Sequence, residues 1–114
     1  MGKVIAEVSF SPLGTPTASV SKYVTAALAV LKEHPEVEYQ LNPMGTVLEG
    51  DRRDVINVIE EMNEAVFASG ALRVGTTLKI DERRDKPTSM HHKVESVLDN
   101  LQTGGQRPGT GGQA

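Results

Sequence analysis

Residues 39–50 have the sequence YQLNPMGTVLEG, in which two short runs of alternating residues flank a turn signal. Pro43 suits the second position of a tight turn because its ring fixes φ. Gly45 follows at the place where a left-handed residue closes a type I turn with a bulge. The stretch therefore predicts a β-hairpin whose second strand ends at Glu49 and Gly50.

The other predicted elements lie almost symmetrically around this hairpin. A strand at residues 3–11 and a helix starting near Ser19 precede it, and a helix from Asp51 to Gly70 and a strand at residues 72–81 follow it. Ser19 and Asp51 are favourable N-cap residues, and Gly70 suits a helix end. The order strand-helix-strand-strand-helix-strand is that of the ferredoxin-like fold. We therefore predict an α+β sandwich of βαββαβ order with an additional C-terminal helix.

Each predicted helix carries apolar residues at the three-to-four spacing of one helix face. The stripes of the first two helices predict a core against the sheet. The last helix, with Ser89 as its cap, has a narrower seam and is marginal alone, so it must dock on its own domain or on a neighbour. In chain order the stripes are Val20, Tyr23, Val24, Ala27, Leu28 and Leu31; Val55, Val58, Ile59, Met62, Val66 and Phe67; and Val94, Val97, Leu98 and Leu101.

Composition excludes several classes of function. The chain has 114 residues, a mild net charge of -3 and no long basic run, so nucleic-acid binding is disfavoured. The absence of Cys excludes disulfides, thiolate catalysis and cysteine metal sites, and no metal or cofactor is indicated. No apolar stretch approaches the length of a membrane span and no signal-peptide pattern is present. We therefore expect a cytoplasmic protein that does not bind membranes.

The end of the chain differs from the rest in composition. Residues 102–114 hold five of the eleven glycines and no large apolar side chain. This composition predicts a disordered Gly-rich tail after a domain at residues 1–101. The run Gly109-Thr110-Gly111-Gly112 superficially resembles a phosphate loop, but no predicted strand precedes it and no helix follows it, so we reject that interpretation.

Polar residues recur on one side of the predicted central strands. In the first strand Val4, Ala6, Val8 and Phe10 alternate with a polar set that includes Glu7, Ser9 and Ser11. In the return strand Thr46 and Leu48 are expected on the core face, with Glu49 on the open face, although a bulge would change this assignment. Polar groups on central strands indicate a ligand cleft or a wet subunit interface. An ordinary solvent face of a one-layer sheet remains the alternative.

Five short motifs follow one another along the chain between about Val4 and Leu101. They are Pro12-x-Gly14-Thr15, Ser19-x-Ser21-x-Tyr23-Val24, Pro43-Met44-Gly45-Thr46-x-x-Glu49-Gly50, Arg73-Val74 and Ile80-Asp81-x-Arg83-x-Asp85-Lys86. Together they resemble those of the small thiamine-binding proteins, and the hairpin motif is quite specific. The resemblance implies a ferredoxin-like fold assembled into dimers and tetramers. It also implies binding of thiamine or its aminopyrimidine portion, with no established catalytic activity.

Thiamine joins a cationic thiazolium ring to an aminopyrimidine with an N–H donor, and a carboxylate can interact with both. Glu49 closes a central strand beside a glycine and is therefore the first candidate for such charge-assisted contacts. Alternatively, Glu49 pairs with Arg73 or Lys79, or caps the next helix. The candidate ligand-binding residues are Glu49, Thr46, Ser9, Ser11, Met44 and Glu7.

Other functional classes stay open beside ligand binding. An enzyme could use Glu7 and Glu49 as a carboxylate pair, although no His or Cys constellation supports one. A regulatory or structural oligomeric module is a further alternative. An RNA-binding module would need exposed aromatic residues on the central strands, and the chain has only two Phe and two Tyr. The long fourth strand, predicted at a sheet edge without Pro, indicates a homo-oligomer, most simply a dimer of dimers.

Overall fold

The computed structural model describes residues 2–87 and 89–103. Four strands and three helices follow the predicted βαββαβ order, with a third helix after the last strand. Residues 104–114 lie outside the described residues, so the disordered tail and the division at residue 101 stay predictions. The elements are β1 Lys3–Leu13, α1 Ser21–Leu31, β2 Glu38–Asn42, β3 Gly45–Asp51, α2 Arg52–Ala68, β4 Arg73–Glu82 and α3 Met90–Thr103.

The four strands form one antiparallel sheet in the order β2-β3-β1-β4. β1 and β3 are therefore central, with a register that runs from Lys3 opposite Asp51 to Val8 opposite Thr46. β1 continues beyond Val8 to Leu13, and over that length it pairs only with β4. From residue 9 to residue 13, the side of β1 that faces away from β4 therefore has no strand partner among the described residues. This unpaired side lies next to the tip of the β2–β3 hairpin.

The core lies between α1, α2 and one face of the sheet. Alternation sends Val4, Ala6 and Val8 of β1 and Leu48 of β3 to this face, as predicted, and all are buried. Tyr23 is buried with them, which confirms its assignment to the core. The buried cluster consists of Val4, Ala6, Val8, Tyr23, Ala27, Leu31, Val37, Leu48, Val55, Val58, Ile59, Met62, Val66 and Ala71.

The hairpin turn differs from its predicted form. Pro43 and Met44 alone connect Asn42 to Gly45, which pair directly, so no bulge is present at this turn. The prediction of a left-handed Gly45 is wrong, since only Gly14 and Gly70 have positive φ in the described chain. Gly45 is needed for close approach instead. A Cβ at this position would lie 3.1 Å from the Val8 carbonyl oxygen.

Of the two capping predictions for α1 and α2, the one for α2 is confirmed and the one for α1 is wrong. α2 is capped as expected, because the Asp51 side chain accepts a hydrogen bond from the Arg53 N–H at 3.0 Å. The Ser19 prediction is wrong: α1 begins at Ser21, and Val20 in the cap position makes no side-chain bond. The Ser19 hydroxyl instead lies 3.3 Å from the Ser21 hydroxyl. No described helix is both long and apolar enough to cross a membrane.

His34 joins the connection after α1 to α2. Its Nδ1 lies 2.9 Å from Glu36 Oε2, and its Nε2 lies 3.0 Å from Glu61 Oε1 on α2. The hydrogen bonds to Glu36 and then to Glu61 raise the pKa of His34, while the bond to His34 lowers the pKa of Glu36. The protonated imidazole therefore favours the folded state.

We expect His34→Gln to destabilise the protein more at mildly acidic than at alkaline pH. A raised folded-state pKa gives stabilisation that is fully present below the unfolded-state pKa and is lost as pH rises through the folded-state pKa. Urea unfolding of both proteins between about pH 5.5 and pH 9 measures the difference. His91→Gln on α3 is the control. A difference that is constant or grows with pH would contradict the role of His34.

Candidate functional site

A cavity of about 310 Å³ opens on the helix side of the sheet, beside the hairpin tip. Three parts of the chain form it: the unpaired side of β1, the hairpin turn, and the apolar stripe of α1. Met62 of α2 also lines it. The lining residues are Val8, Ser9, Phe10, Ser11, Val20, Val24, Ala27, Leu28, Leu41, Asn42, Pro43, Met44, Gly45, Thr46 and Met62.

A few polar groups interrupt the apolar lining. Thr46 is only 6% exposed, and no hydrogen bond of its hydroxyl is found within the described residues. Asn42 accepts a bond from the Gln40 side-chain amide at 3.2 Å, which leaves its own NH₂ group as a donor. Burying an unpaired hydroxyl is unfavourable. Thr46 is therefore a polar group in need of a partner inside an apolar cavity.

The backbone of β1 adds further hydrogen-bonding capacity. Three residues of β1 line the cavity: Ser9, Phe10 and Ser11. They follow Val8, the last residue of β1 that pairs with β3. Strand backbone without a neighbour presents N–H and C=O groups to whatever lies beside it. Among the lining residues that the structure describes there is no Asp, Glu, Lys, Arg or His. The cavity is thus suited to a neutral, partly apolar group with its own donors and acceptors.

Apolar residues also surround the mouth of the cavity. Met44 at the turn is 87% exposed, and Val20 and Leu41 are exposed as well. All three line the cavity. An exposed Met presents a flexible, polarisable side chain that adapts to a flat ring. The mouth can therefore contact a second, larger part of a ligand whose first part enters the cavity.

Glu49 lies elsewhere, on the face of the sheet that α1 and α2 leave open. It is only 3% exposed, and both carboxylate oxygens have partners. Oε1 accepts from the Met90 backbone N–H at 2.7 Å, and Oε2 lies 2.7 Å from Lys3 Nζ. Burial raises the pKa of Glu49, but the bonds to Lys3 and to the Met90 N–H outweigh burial and hold that pKa below its ordinary value.

The partner of Glu49 is the start of α3. Ser89 caps this helix as predicted, with its hydroxyl accepting from the His92 N–H at 3.0 Å. Glu49 accepts from Met90, the first residue of the helix, where an anion is also favoured by the helix dipole. Lys93 adds an ion pair to Asp81 of β4. Glu49 therefore caps a helix, but α3 rather than α2, and its ion-pair partner is Lys3 rather than Arg73 or Lys79.

Glu7 also lies on the open face, opposite Lys79 in the β1–β4 register. It lines a smaller hollow of about 180 Å³ together with Lys79, Asp81 and Lys93. Within the described residues no hydrogen bond joins Glu7 to Glu49, whose two oxygens contact Met90 and Lys3. The described residues contain no group of three or more His, Asp or Glu suited to a metal ion.

The structure thus divides the six predicted ligand residues between the cavity and the open face of the sheet. Ser9, Ser11, Met44 and Thr46 line the cavity, whereas Glu7 and Glu49 lie on the open face. Sequence reasoning missed Asn42 and the part played by α1. The signal for α1 was present, because Val20, Val24, Ala27 and Leu28 belong to its predicted stripe, but that stripe indicated only a core.

The strand order and the order of the elements define an α+β domain of ferredoxin-like topology. A family model described as "Thiamine-binding protein" matches residues 6–98. The chain therefore belongs to the thiamine-binding protein family. A similar relative, the UPF0045 protein YqgV of Bacillus subtilis, is 44% identical over 101 residues, which cover 86% of this chain and 97% of YqgV.

Solved structures of similar proteins confirm the fold. The protein MJ1052 of Methanocaldococcus jannaschii has a TM-score of 0.79 and 42% identity, covering 87% of this chain and 99% of its own. A Thermotoga maritima protein, described as a candidate thiamine biosynthesis/salvage protein, has a TM-score of 0.70 and 17% identity, covering 83% and 98%. The second likeness shows the fold alone. The predicted family and fold class are confirmed.

We expect Glu49→Gln to loosen α3 and to lower stability by about 1–3 kcal/mol, because it removes the ion pair with Lys3 from a buried position. A lowered folded-state pKa gives stabilisation that is present above the unfolded-state pKa and lost as pH falls through the folded-state pKa. The difference from the wild type should therefore shrink on acidification. Chemical unfolding at several pH values measures it, with the exposed Glu64→Gln as control. Equal stability at neutral pH would show that the contact is weak.

Proposed function

We propose that the protein binds thiamine or its aminopyrimidine portion, without catalysis, in the cavity beside the hairpin tip. The observation that carries the proposal is the buried Thr46 hydroxyl, for which the described residues offer no hydrogen-bond partner, in a cavity lined otherwise by apolar groups, strand backbone and Asn42. The membership of the chain in the thiamine-binding protein family supports the choice of ligand.

The chemistry of an aminopyrimidine suits this lining. Its exocyclic amine donates hydrogen bonds and its ring nitrogens accept them, while both ring faces are apolar. The Thr46 hydroxyl can donate or accept, the Asn42 amide can donate, and the free side of β1 offers backbone groups near Ser9 and Ser11. The aliphatic side chains of α1 and Val8 contact the ring faces. Each hydrogen bond that also satisfies a buried protein group adds both affinity and selectivity.

The thiazolium end of thiamine belongs at the mouth of the cavity. A permanent cation enters an uncharged, apolar cavity only at a large desolvation cost. Water remains accessible at the mouth, and the exposed Met44 offers a polarisable contact there. The described lining residues include no ionisable side chain to act as a general acid or base, which favours binding over catalysis.

We further propose that the protein acts in the cytoplasm as a homo-oligomer, a dimer of dimers. β4 supports self-association, because it is a ten-residue strand at the edge of the sheet. Such an edge presents unpaired backbone groups to another strand. Most of the side chains of β4 are exposed in the single chain. The open face of the sheet beyond α3 is a second surface available to a neighbour.

Thr46→Val tests the cavity, since it removes the hydroxyl and keeps the side-chain shape. We expect thiamine affinity, measured by calorimetry, to fall about 3- to 10-fold, the loss of one hydrogen bond. The variant should be at least as stable as the wild type, because the hydroxyl is buried and has no partner among the described residues. Thr77→Val is the matched control: Thr77 lies opposite Ser9 in the register and is exposed outside the cavity.

Two outcomes would overturn different parts of the proposal. Absence of any heat or thermal shift with both thiamine and the free aminopyrimidine would show that the proposed ligand is wrong. Binding that is unchanged in Thr46→Val but about tenfold weaker in Glu49→Gln would move the ligand to the open face. We expect Glu49→Gln to keep the wild-type affinity, because the carboxylate is occupied by Lys3 and Met90.

A further inference from the structure

Methionine carries all the sulfur chemistry of this chain. The sequence has no Cys and four Met, namely Met1, Met44, Met62 and Met90. Met62 and Met90 are buried, with 1% and 8% of their surface exposed, whereas Met44 is 87% exposed. Met1 lies outside the described residues. An oxidant in solution must reach the sulfur to react with it, so among the described methionines Met44 is the first to be oxidised.

Met44 is also placed where a change of side-chain polarity affects ligand binding. It is one of the two residues that connect β2 to β3. It lines the cavity beside Val20 and Leu41, which are exposed apolar residues as well. A thioether adapts to flat apolar surfaces, and in the proposed arrangement it contacts the thiazolium ring of thiamine. Oxidation at this point therefore acts on the part of the ligand that stays outside the cavity.

The backbone of the turn is held without help from the Met44 side chain. Asn42 pairs with Gly45, and an added Cβ on Gly45 would lie only 3.1 Å from the Val8 carbonyl oxygen. Met44 itself lies outside the buried core cluster. A modification of its sulfur therefore leaves the fold and the position of the turn unchanged.

We propose that Met44 is a reversible oxidation site, at which a hydroperoxide lowers the affinity of the protein for thiamine. The inference rests on the proposed function and adds a regulation of the same cavity. A sulfur lone pair attacks one oxygen of the peroxide and the O–O bond breaks. The other oxygen takes up the displaced proton and leaves as water or an alcohol, so the sulfur is oxidised to the sulfoxide and the peroxide is reduced. A methionine sulfoxide reductase restores the thioether at the expense of two thiols, which become a disulfide while the oxygen leaves as water.

The sulfoxide weakens the contact at the mouth of the cavity because it is polar. The S=O group is hydrated, and packing it against a ring removes that water at a cost in free energy. Its oxygen carries a partial negative charge that attracts the thiazolium cation, but water screens this attraction at a side chain as exposed as Met44. The lost contact between sulfur and ring therefore decides the sign. We expect thiamine affinity to fall about 3- to 10-fold.

Peptide mass spectrometry after limited treatment with hydrogen peroxide tests the site. We expect Met44 to be oxidised before Met62 and Met90, with circular dichroism and thermal melting unchanged. Calorimetry should then show weaker thiamine binding by the oxidised protein, and treatment with methionine sulfoxide reductase should restore it. The free aminopyrimidine enters the cavity without the thiazolium ring, so it should bind the oxidised and the untreated protein equally.

Two variants identify the sulfur that is responsible. In Met44→Leu, peroxide should not change the thiamine affinity of that variant, because a Leu side chain has no sulfur to oxidise. Met90→Leu is the matched control, because Met90 is buried on α3 outside the cavity lining, and it should keep the wild-type response to peroxide.

Four outcomes would count against the inference. Faster oxidation of Met62 or Met90 would show that Met44 is not the site, and unchanged thiamine affinity after oxidation would remove the regulation. An equal loss of thiamine and aminopyrimidine binding would indicate damage to the cavity instead of a weaker contact at its mouth. An untreated protein that binds neither ligand would overturn the proposed function and the regulation together, while mass spectrometry still decides which sulfur is oxidised.

Discussion

The antiparallel register between β1 and β3 is the constraint on which the rest of the molecule depends. It places Val8 opposite Thr46 and Ile5 opposite Glu49. Because side chains alternate along a strand, Thr46 faces the helices and Glu49 faces the other way. A slip of one residue would exchange them and bury a carboxylate under α1 and α2 without a cation. The cavity on one face and the α3 contact on the other therefore both depend on this one register.

Local signals in the sequence were sufficient for the topology and for the faces of the strands. Asp51 caps α2, Gly70 follows its end with positive φ, and Ser89 caps α3, all from residue types with known preferences. The Ser19 prediction failed because α1 begins one residue later than a Ser19 cap requires, with Val20 in the cap position and no side-chain cap, and residue preference alone does not reveal that shift. Gly45 failed because the closeness of the Val8 carbonyl depends on a different strand.

The candidate site could be predicted only in part, because it too depends on contacts between parts of the chain that are distant in sequence. Motif and alternation pointed to Thr46, Ser9, Ser11 and Met44, which the structure places around one cavity. The cavity itself forms because β1 pairs with β4 over a longer stretch than it pairs with β3. No local sequence pattern encodes that difference in length. Glu49 was singled out for its position and charge, but its partners come from the two ends of the domain. Only the folded chain shows that its carboxylate is already occupied.

The contact between Glu49 and Met90 also has a kinetic meaning, since it joins residues 41 positions apart in the sequence. Such a contact forms only after the central strands have paired, because the loop it closes is long and the acceptor is held by the sheet. α3 is consequently expected to dock last during folding. In the native protein we expect α3 to form a separate opening unit, whose amide hydrogens exchange with solvent through local release while the sheet stays closed.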